Sequence, residues 1–544
     1  MTPAIHLVEL QGTTDGSIAL TEDWGIGALP IGAIGLDSDF TSADVTFRLA
    51  DREYTSEAGS AVGVARYRGL VTSAVEVERR IPLEPSAAGF VGAAWGEIEV
   101  ANPDGYWSDL VESYAVDGRS ARILRGTMGF DHARGILLDP AHASFAELFV
   151  GTALGWSLDT GGLRVAIRDR TSRIERTLQG EYYGGTGGAD GSAEIAGRVV
   201  PYCRGDCRNV TPLLEDPANL IYRVNNAPAD VTAVYERGVA GYVDAGDVAD
   251  RAALVAASAS GGTFLTCRAE GRFRLFPSGS VQGEITADVL GEFAGAGYQD
   301  QPVAIARWML EEDLGLGSSV VDTAAFAALD ASLPYPSGLW LADETDAVEA
   351  LGIVLRSVGA CLFPTRGSRL APLRLAPPAG APAATYDEAS VIDMRQVALP
   401  ETLTPPNYRR AVACDRNWTV QQPDLDAAVS DARRAWLAKP YRTGAWFDGA
   451  IRARHLKATN PPTVEGILRA EADAQAVAAT LGAVWGVPRQ AWDVDLPLEV
   501  PDWDLGDEIA VTFPIGPFAA GASCRVIGER LSASGSRLTV TVLL

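Results

Sequence analysis

Cys203 and Cys207 stand four apart in the run PYCRGDC. A structural zinc wants a second pair of ligands nearby. The other cysteines, Cys267, Cys361, Cys414 and Cys524, are isolated, and His6, His132, His142 and His455 fall at no helical or finger-like spacing with the pair. Two packed or partly exposed thiols are expected, with no metal and no disulfide framework. The run Gly184-Gly185-Thr186-Gly187-Gly188 lacks the Lys that a phosphate cradle needs, and Asp190 follows it, so a phosphate would meet a negative charge there. A plain loop is expected.

Nucleophilic catalysis needs a positioned His beside Ser or Cys, and no G-x-S-x-G elbow is present. A glycosidase needs two carboxylates about 5–10 Å apart, but among 70 Asp and Glu some pair always meets that condition, so the criterion selects nothing. Asn209-Val210-Thr211 and Asn417-Trp418-Thr419 match glycosylation sequons by chance. The 12 tryptophans, among them Trp107, Trp156, Trp340 and Trp503, are scattered and read as core aromatics before sugar platforms. No catalytic, cofactor-binding or metal-binding residue is assigned, and no enzyme is expected.

The elements that carry these residues are mostly strands. Val45, Phe47 and Leu49 alternate with Thr46 and Arg48; Leu163, Val165 and Ile167 alternate with Arg164 and Ala166; Ile98 and Val100 close another run. Period-two patterns imply one buried and one wet face. Asn102-Pro103-Asp104-Gly105 and Asp117-Gly118-Arg119 are turns. Short β runs continue from about Tyr202 to Phe273 and Leu275. Helices are expected over about 303–314, stopping at Gly315; after a capping Asp322; over about 345–358 with Gly359 just beyond; over about 425–439, ending at Pro440; and over about 466–485, stopping at Gly486. Strands return with Ile509, Val511 and Phe513, then Leu538, Val540 and Val542. The plan is α+β, mainly β, with β at both ends and an α/β middle.

At 544 residues the chain should hold three or four domains. Hydrophobic residues make up 47% and charged residues 21%, so most of it should fold around real cores. The formal charge of −25 argues against gripping nucleic acid or an anionic membrane, and suits a surface that DNA slides past. Lys439 and Lys457 are the only lysines; every other basic side chain but histidine is arginine, as in products of GC-rich genomes. The opening MTPAIHLVEL has no basic run and carries Glu9 inside its apolar stretch, so it does not read as a signal peptide. No apolar stretch approaches the ~20 residues of a membrane span.

Several segments together resemble a family of phage tail proteins. VTFRLADREYTS, YRGLVTSAVEVERRIPL, GEIEVANPDGYWSDL and VDGRSARILRG resemble its opening. The stretch FVGTALGWSLDTGGLRVAIRDRTSRIERTLQGEYYGGTGGADGSAEIAGRVVPYCRGDCRNVTPLLED follows the same family pattern. That pattern is a G-x-x-x-x-W turn ending a strand, a strand closing on R-D, a Y-x-G-x-G-x-x-x-G loop and a G-x-x-x-N-V-x-P segment. LPLEVPDWDLGDEIAVTFPIGPFAAGASCRVIGERLSASGSRLTVTVLL resembles the closing barrel of tail hub proteins, and the likeness covers most of the chain.

The resemblance implies a baseplate or tail-tip hub with two tail-tube-like β-barrel domains. Residues 1–195 would form the first, 196–300 a β-rich domain, 301–400 an α/β domain, and 401–544 a helical connection and the second barrel. Three copies would form a pseudo-sixfold ring that continues the tail tube, meets the distal tail protein, the tape measure protein and a central fibre or spike, and lets DNA pass without specific binding. Such a protein is made in the host bacterial cytoplasm and resides in the virion. Some hubs of related phages hold an iron–sulfur cluster on four cysteines; with one close pair, this chain does not carry that over, and no cofactor is expected. The alternatives are a receptor-binding adhesin or side-fibre attachment protein with Trp-lined sites, and a cell-wall hydrolase of the tail tip.

Overall fold

A computed structural model describes residues 4–14, 43–73, 76–83, 95–293, 297–532 and 537–544. Residues 74–75 and 533–536, which fall inside two of the segments quoted above, lie outside the described residues.

The N-terminal sheet has nine strands in the order Tyr54–Thr55, Arg66–Gly69, Ala43–Ala50, Ala4–Thr14, Ser120–Thr127, Ala146–Asp159, Gly162–Arg168, Trp95–Val100, Val71–Ser73. Alternation places its side chains: Leu163, Val165 and Ile167 are buried while Arg164 and Ala166 face water. Ala4–Thr14 is a central strand, and its Ile5, Leu7, Val8 and Leu10 are all buried. Glu9 in that strand is buried too, and is satisfied by the Tyr67 hydroxyl at 2.6 Å and Arg122 at 2.8 Å.

The expected turn at Gly151–Trp156 is instead a continuous strand, Ala146–Asp159, with a bulge between Ala153 and Gly155. Only glycine fits at 151, because a Cβ there would lie 2.1 Å from the Arg168 carbonyl oxygen. The bulge bends the strand and increases its local twist without reversing the chain, and Trp156 packs on Phe47 and Trp107.

The C-terminal sheet has seven strands. Six run in the order Ala384–Tyr386, Glu508–Val511, Ala522–Ser532, Arg537–Leu543, Ala491–Pro497, Asp393–Val397. The seventh, Glu76–Arg80, comes from the other end of the chain and pairs with Ala522–Ser532. Leu538, Val540 and Val542 are buried as expected, but so are Thr539 and Thr541, so this strand has no wet face. Their hydroxyls donate across the sheet to Asp495 at 2.6 Å and Asp493 at 2.7 Å, which satisfies the polar groups of the second face.

Two five-stranded sheets draw their strands from residues 202–291 and 338–341. One runs Val239–Ala240, Ala229–Glu236, Ile285–Gly291, Tyr202–Val210, Gly338–Leu341; the other runs Leu213–Asp216, Ile221–Arg223, Arg272–Phe276, Thr263–Cys267, Val243–Asp247. Helices Pro302–Trp308, Thr323–Ala331, Ala347–Arg356 and Glu471–Trp485 share a core with the three-stranded sheet Arg442–Phe447, Arg409–Cys414, Val464–Leu468. Asp322 caps its helix by accepting from the Ala325 amide, and Gly359 takes φ +70 beyond Ala347–Arg356.

Two helices are shorter than their patterns predict. The expected 425–439 helix is Asp431–Leu437, because Asp424 holds φ +61 and the Ser430 hydroxyl caps the start by accepting from the Arg433 amide. The expected start at 466 fails because Val464–Leu468 is a strand, parallel to Arg409–Cys414, and the helix begins at Glu471. The apolar residues there are buried against a strand whose Ala413 carbonyl oxygen would lie 2.2 Å from a Cβ on Gly466. The fold is α+β and mainly β, with several sheets, one of them a half-barrel.

Candidate functional site

In Glu76–Arg80, EVERR, alternation sends Val77 and Arg79 to one face and Glu78 and Arg80 to the other. Arg79 therefore enters the core: its side chain is 5% exposed and that of Glu529, directly opposite in the ladder, 3%. A buried guanidinium persists only if paired and hydrogen-bonded. Arg79 Nε and Nη2 donate to Glu529 Oε1 at 2.9 and 2.7 Å, and Nη1 donates to the Pro364 carbonyl at 2.9 Å. Asp504 Oδ1 lies 2.8 Å from Nη1.

Arg366, in the turn of the hairpin Ala360–Pro364/Leu370–Arg374, completes the cluster. Its Nη2 donates to Glu529 Oε2 at 2.6 Å, and its backbone amide donates to Asp504 Oδ2 at 2.7 Å. Burial alone would push the Glu529 carboxyl up, but Arg79 and Arg366 outweigh it and hold it below the usual carboxylate range. Burial likewise opposes the charge on Arg79, and Glu529 and Asp504 raise it back above the ordinary arginine value.

This cluster fastens three distant parts of the chain. Around it, one hydrophobic core runs from Val8, Phe47 and Ile98 in the N-terminal sheet to Trp492, Val526 and Val540 in the C-terminal sheet. Two small cavities at the joint have volumes of about 20 and 30 Å³, room for a water and not for a substrate. A larger open cleft of about 320 Å³ is lined by Arg125, Thr127, Ser144, Ala146, Glu499 and Val500, and so offers a single carboxylate.

A second joint centres on Asn209, which is fully buried at φ +55. Its side-chain amide donates to Asn417 Oδ1 at 2.8 Å and the Thr419 carbonyl at 2.8 Å, while Thr286 donates to its oxygen at 2.7 Å. Gly205, earlier on the same strand, holds φ +74 and would bring a Cβ within 2.2 Å of the Ser337 carbonyl oxygen. The G-x-x-x-N-V-x-P spacing thus records a close approach of neighbouring strands and a polar anchor. Asn209 and Asn417 are both buried, so neither sequon can accept a glycan in the folded chain.

The glycine-rich loop closes on its own carboxylate. Asp190 accepts from the Gly184 amide at 2.9 Å, the Thr186 amide at 3.1 Å and the Thr186 hydroxyl at 2.6 Å. These bonds, led by that of Thr186, hold the Asp190 carboxyl below its ordinary value. Donors that could cradle a phosphate are thus turned onto Asp190. Cys203 and Cys207 are both fully buried, and the Cys207 thiol is pushed up by burial and then by the neighbouring Cys203. Among the described residues no group of three or more His, Cys, Asp or Glu is placed to hold a metal, and no helix is long and apolar enough to cross a membrane.

Sequence reasoning passed over Arg79, Arg366, Glu529 and Asn209 as structural anchors. The one available signal was an arginine two residues after Val77 in an alternating strand, on the face due to be buried.

No family model matches the sequence, and no curated protein matches it. Among solved structures the chain is similar to a tail protein from Neisseria meningitidis MC58, at 10% identity and TM-score 0.38 over 89% of this chain and 94% of that one. It is similar to the 43 kDa tail protein of prophage MuSo2 from Shewanella oneidensis, at 10% identity and TM-score 0.38 over 91% and 98%. A chain of a native gene transfer agent virion is 14% identical, with TM-score 0.36 over 64% of this chain and 84% of that one. These structural neighbours are thus two tail proteins, one of them of a prophage, and a virion component.

Proposed function

We propose that this chain is a structural hub of a phage tail tip, not an enzyme. One observation carries the reading. The two β-rich ends are built into one continuous body, because Glu76–Arg80 is a strand of the C-terminal sheet and the two sheets share a core. A wall made of two joined curved sheets is what a subunit needs in order to contribute two tube-like segments to a ring. The resemblance of the opening segments to a family of phage tail proteins, and of the closing segment to the barrel of tail hubs, supports the same reading.

In this reading the chain divides at about residues 195, 300 and 400, with strands crossing the last two boundaries (Gly338–Leu341 into the sheet of Tyr202–Val210, and Ala384–Tyr386 and Asp393–Val397 into the C-terminal sheet), and the segments between the two β ends sit outside or below the ring. Three copies close a pseudo-sixfold ring that continues the tail tube. The distal tail protein, the tape measure protein and a central fibre or spike are its neighbours in the virion. The charge of −25 lets DNA pass the lumen without binding, provided acidic side chains line it. Images of the purified protein test the reading: a threefold ring with an opening of duplex width is expected, and a solid particle without a threefold axis refutes it.

A further inference from the structure

One corner of the molecule stands apart in charge and exposure. It comprises the end of strand Arg442–Phe447, the short helix Gly449–Arg454 and the segment just after it. Leu456 is 96% exposed and Phe447 60%. Phe447 meets the Tyr408 ring edge-on at 6.0 Å, and the Arg452 guanidinium lies 5.3 Å over that same ring. Arg452, Arg454, His455 and Lys457 crowd into six positions, in a chain that has 70 acidic against 45 lysine and arginine side chains. Arg454 and Lys457 are exposed, and among the described residues they have no ion-pair partner. Asp448, the acid at the start of the helix, is used as its cap and accepts from the Ala450 amide at 2.9 Å.

We propose that this corner is the face by which a second copy of the chain docks, and that the contact is heterologous, joining two different patches. The inference rests on the hub reading and names the surface it needs. Charge decides the geometry. A two-fold contact through this corner would set Arg452, Arg454 and Lys457 against their own copies, and like charges facing each other across an interface repel. The surface of opposite sign is the remainder of the same chain, whose net charge is −25. A bare leucine and phenylalanine need an apolar seat, which a protein face offers and a phosphate backbone does not. A contact between unlike patches, repeated with rotation, closes a ring.

The test is the oligomeric state of the full-length chain, by native mass spectrometry and light scattering over a range of concentration and salt. The variants are Leu456→Ser and the pair Arg454→Glu with Lys457→Glu; Lys457→Arg serves as the charge-conserving control. All lie on the surface, and circular dichroism reports that each remains folded. Each disruptive variant is expected to raise the concentration needed for assembly at least about tenfold, with the wild type weakening as salt rises. Lys457→Arg should assemble as the wild type does.

Assembly of the variants at wild-type concentrations overturns the proposal, as does a two-fold dimer with this corner on its axis. Unchanged assembly with lost binding to duplex DNA or to anionic vesicles also overturns it, and assigns the corner to that ligand. A threefold ring indifferent to the variants defeats this inference and leaves the hub reading standing. A variant-sensitive ring of another order does the reverse, and a chain that stays monomeric at every concentration defeats both.

Discussion

Arg79 and Glu529 face each other across a ladder whose two strands lie 450 residues apart in sequence, and both side chains are buried. The pair therefore reports directly on whether the two ends of the chain are joined. Glu529→Gln keeps the shape and removes the charge, leaving Arg79 and Arg366 with Asp504 as the remaining carboxylate of the cluster. Breaking one side of a buried ion pair costs about 3–5 kcal/mol, so chemical denaturation should show a loss of that order. A cost below about 1 kcal/mol would mean that the junction is solvated in solution.

The same carboxylate sets an acid dependence. Glu529 is held below its ordinary value in the folded chain, so the folded state binds its proton less readily than the unfolded state does. Its contribution is fully present above the unfolded value of about 4.3 and is lost as pH falls through the folded value. Thermal unfolding followed from pH 7 to pH 3 should show the wild type losing stability below about pH 4.5, with Glu529→Gln flatter over that window. Parallel curves would remove Glu529 from the account.

Asn209 combines a left-handed backbone with complete burial and several side-chain hydrogen bonds. Asn209→Ala should cost about 3 kcal/mol from lost bonds and strain together. Hydrogen exchange should quicken in 417–421, which Asn209 anchors. Asn209→Gly relieves the backbone but not the bonds, and should recover only part of the loss. If exchange in 417–421 is unchanged in Asn209→Ala, the anchor is not where the two segments are held.

All six cysteines are buried and unpaired. Burial pushes the Cys361 and Cys524 thiols up to about 12, and those of Cys267 and Cys414 up to about 11. The thiolate is the reactive form, so a thiol reagent at pH 8 should label the native protein slowly and all six sites after unfolding. A metal chelator should leave the melting temperature where it was. Rapid native labelling of Cys203 and Cys207 would contradict their burial, and a drop in melting temperature with chelator would assign a metal to the pair.

Much of the fold was legible in the sequence, and the rest for identifiable reasons was not. Leu163, Val165 and Ile167 announce a half-buried strand because water solvates only one face. Asp322 announces a helix start because its carboxylate satisfies a free amide. Asp190 reads as hostile to phosphate, and its bonds to Gly184 and Thr186 give the physical form of that hostility. The misplaced start at 466 has the opposite origin: the strand Val464–Leu468 is five residues long and exposes only Glu465, too short a run to reveal its period, and Gly466 is needed for close approach to Ala413. The joint itself was invisible, since no local pattern links Arg79 to Glu529 or either to the turn at Arg366.

The hub reading stands on how copies of this chain assemble, and cryo-electron microscopy of the purified full-length protein tests that directly. The account predicts a threefold particle in which the joined N- and C-terminal sheets line an opening wide enough for a DNA duplex. A particle without a threefold axis, or one whose sheets pack into a solid lobe, contradicts it.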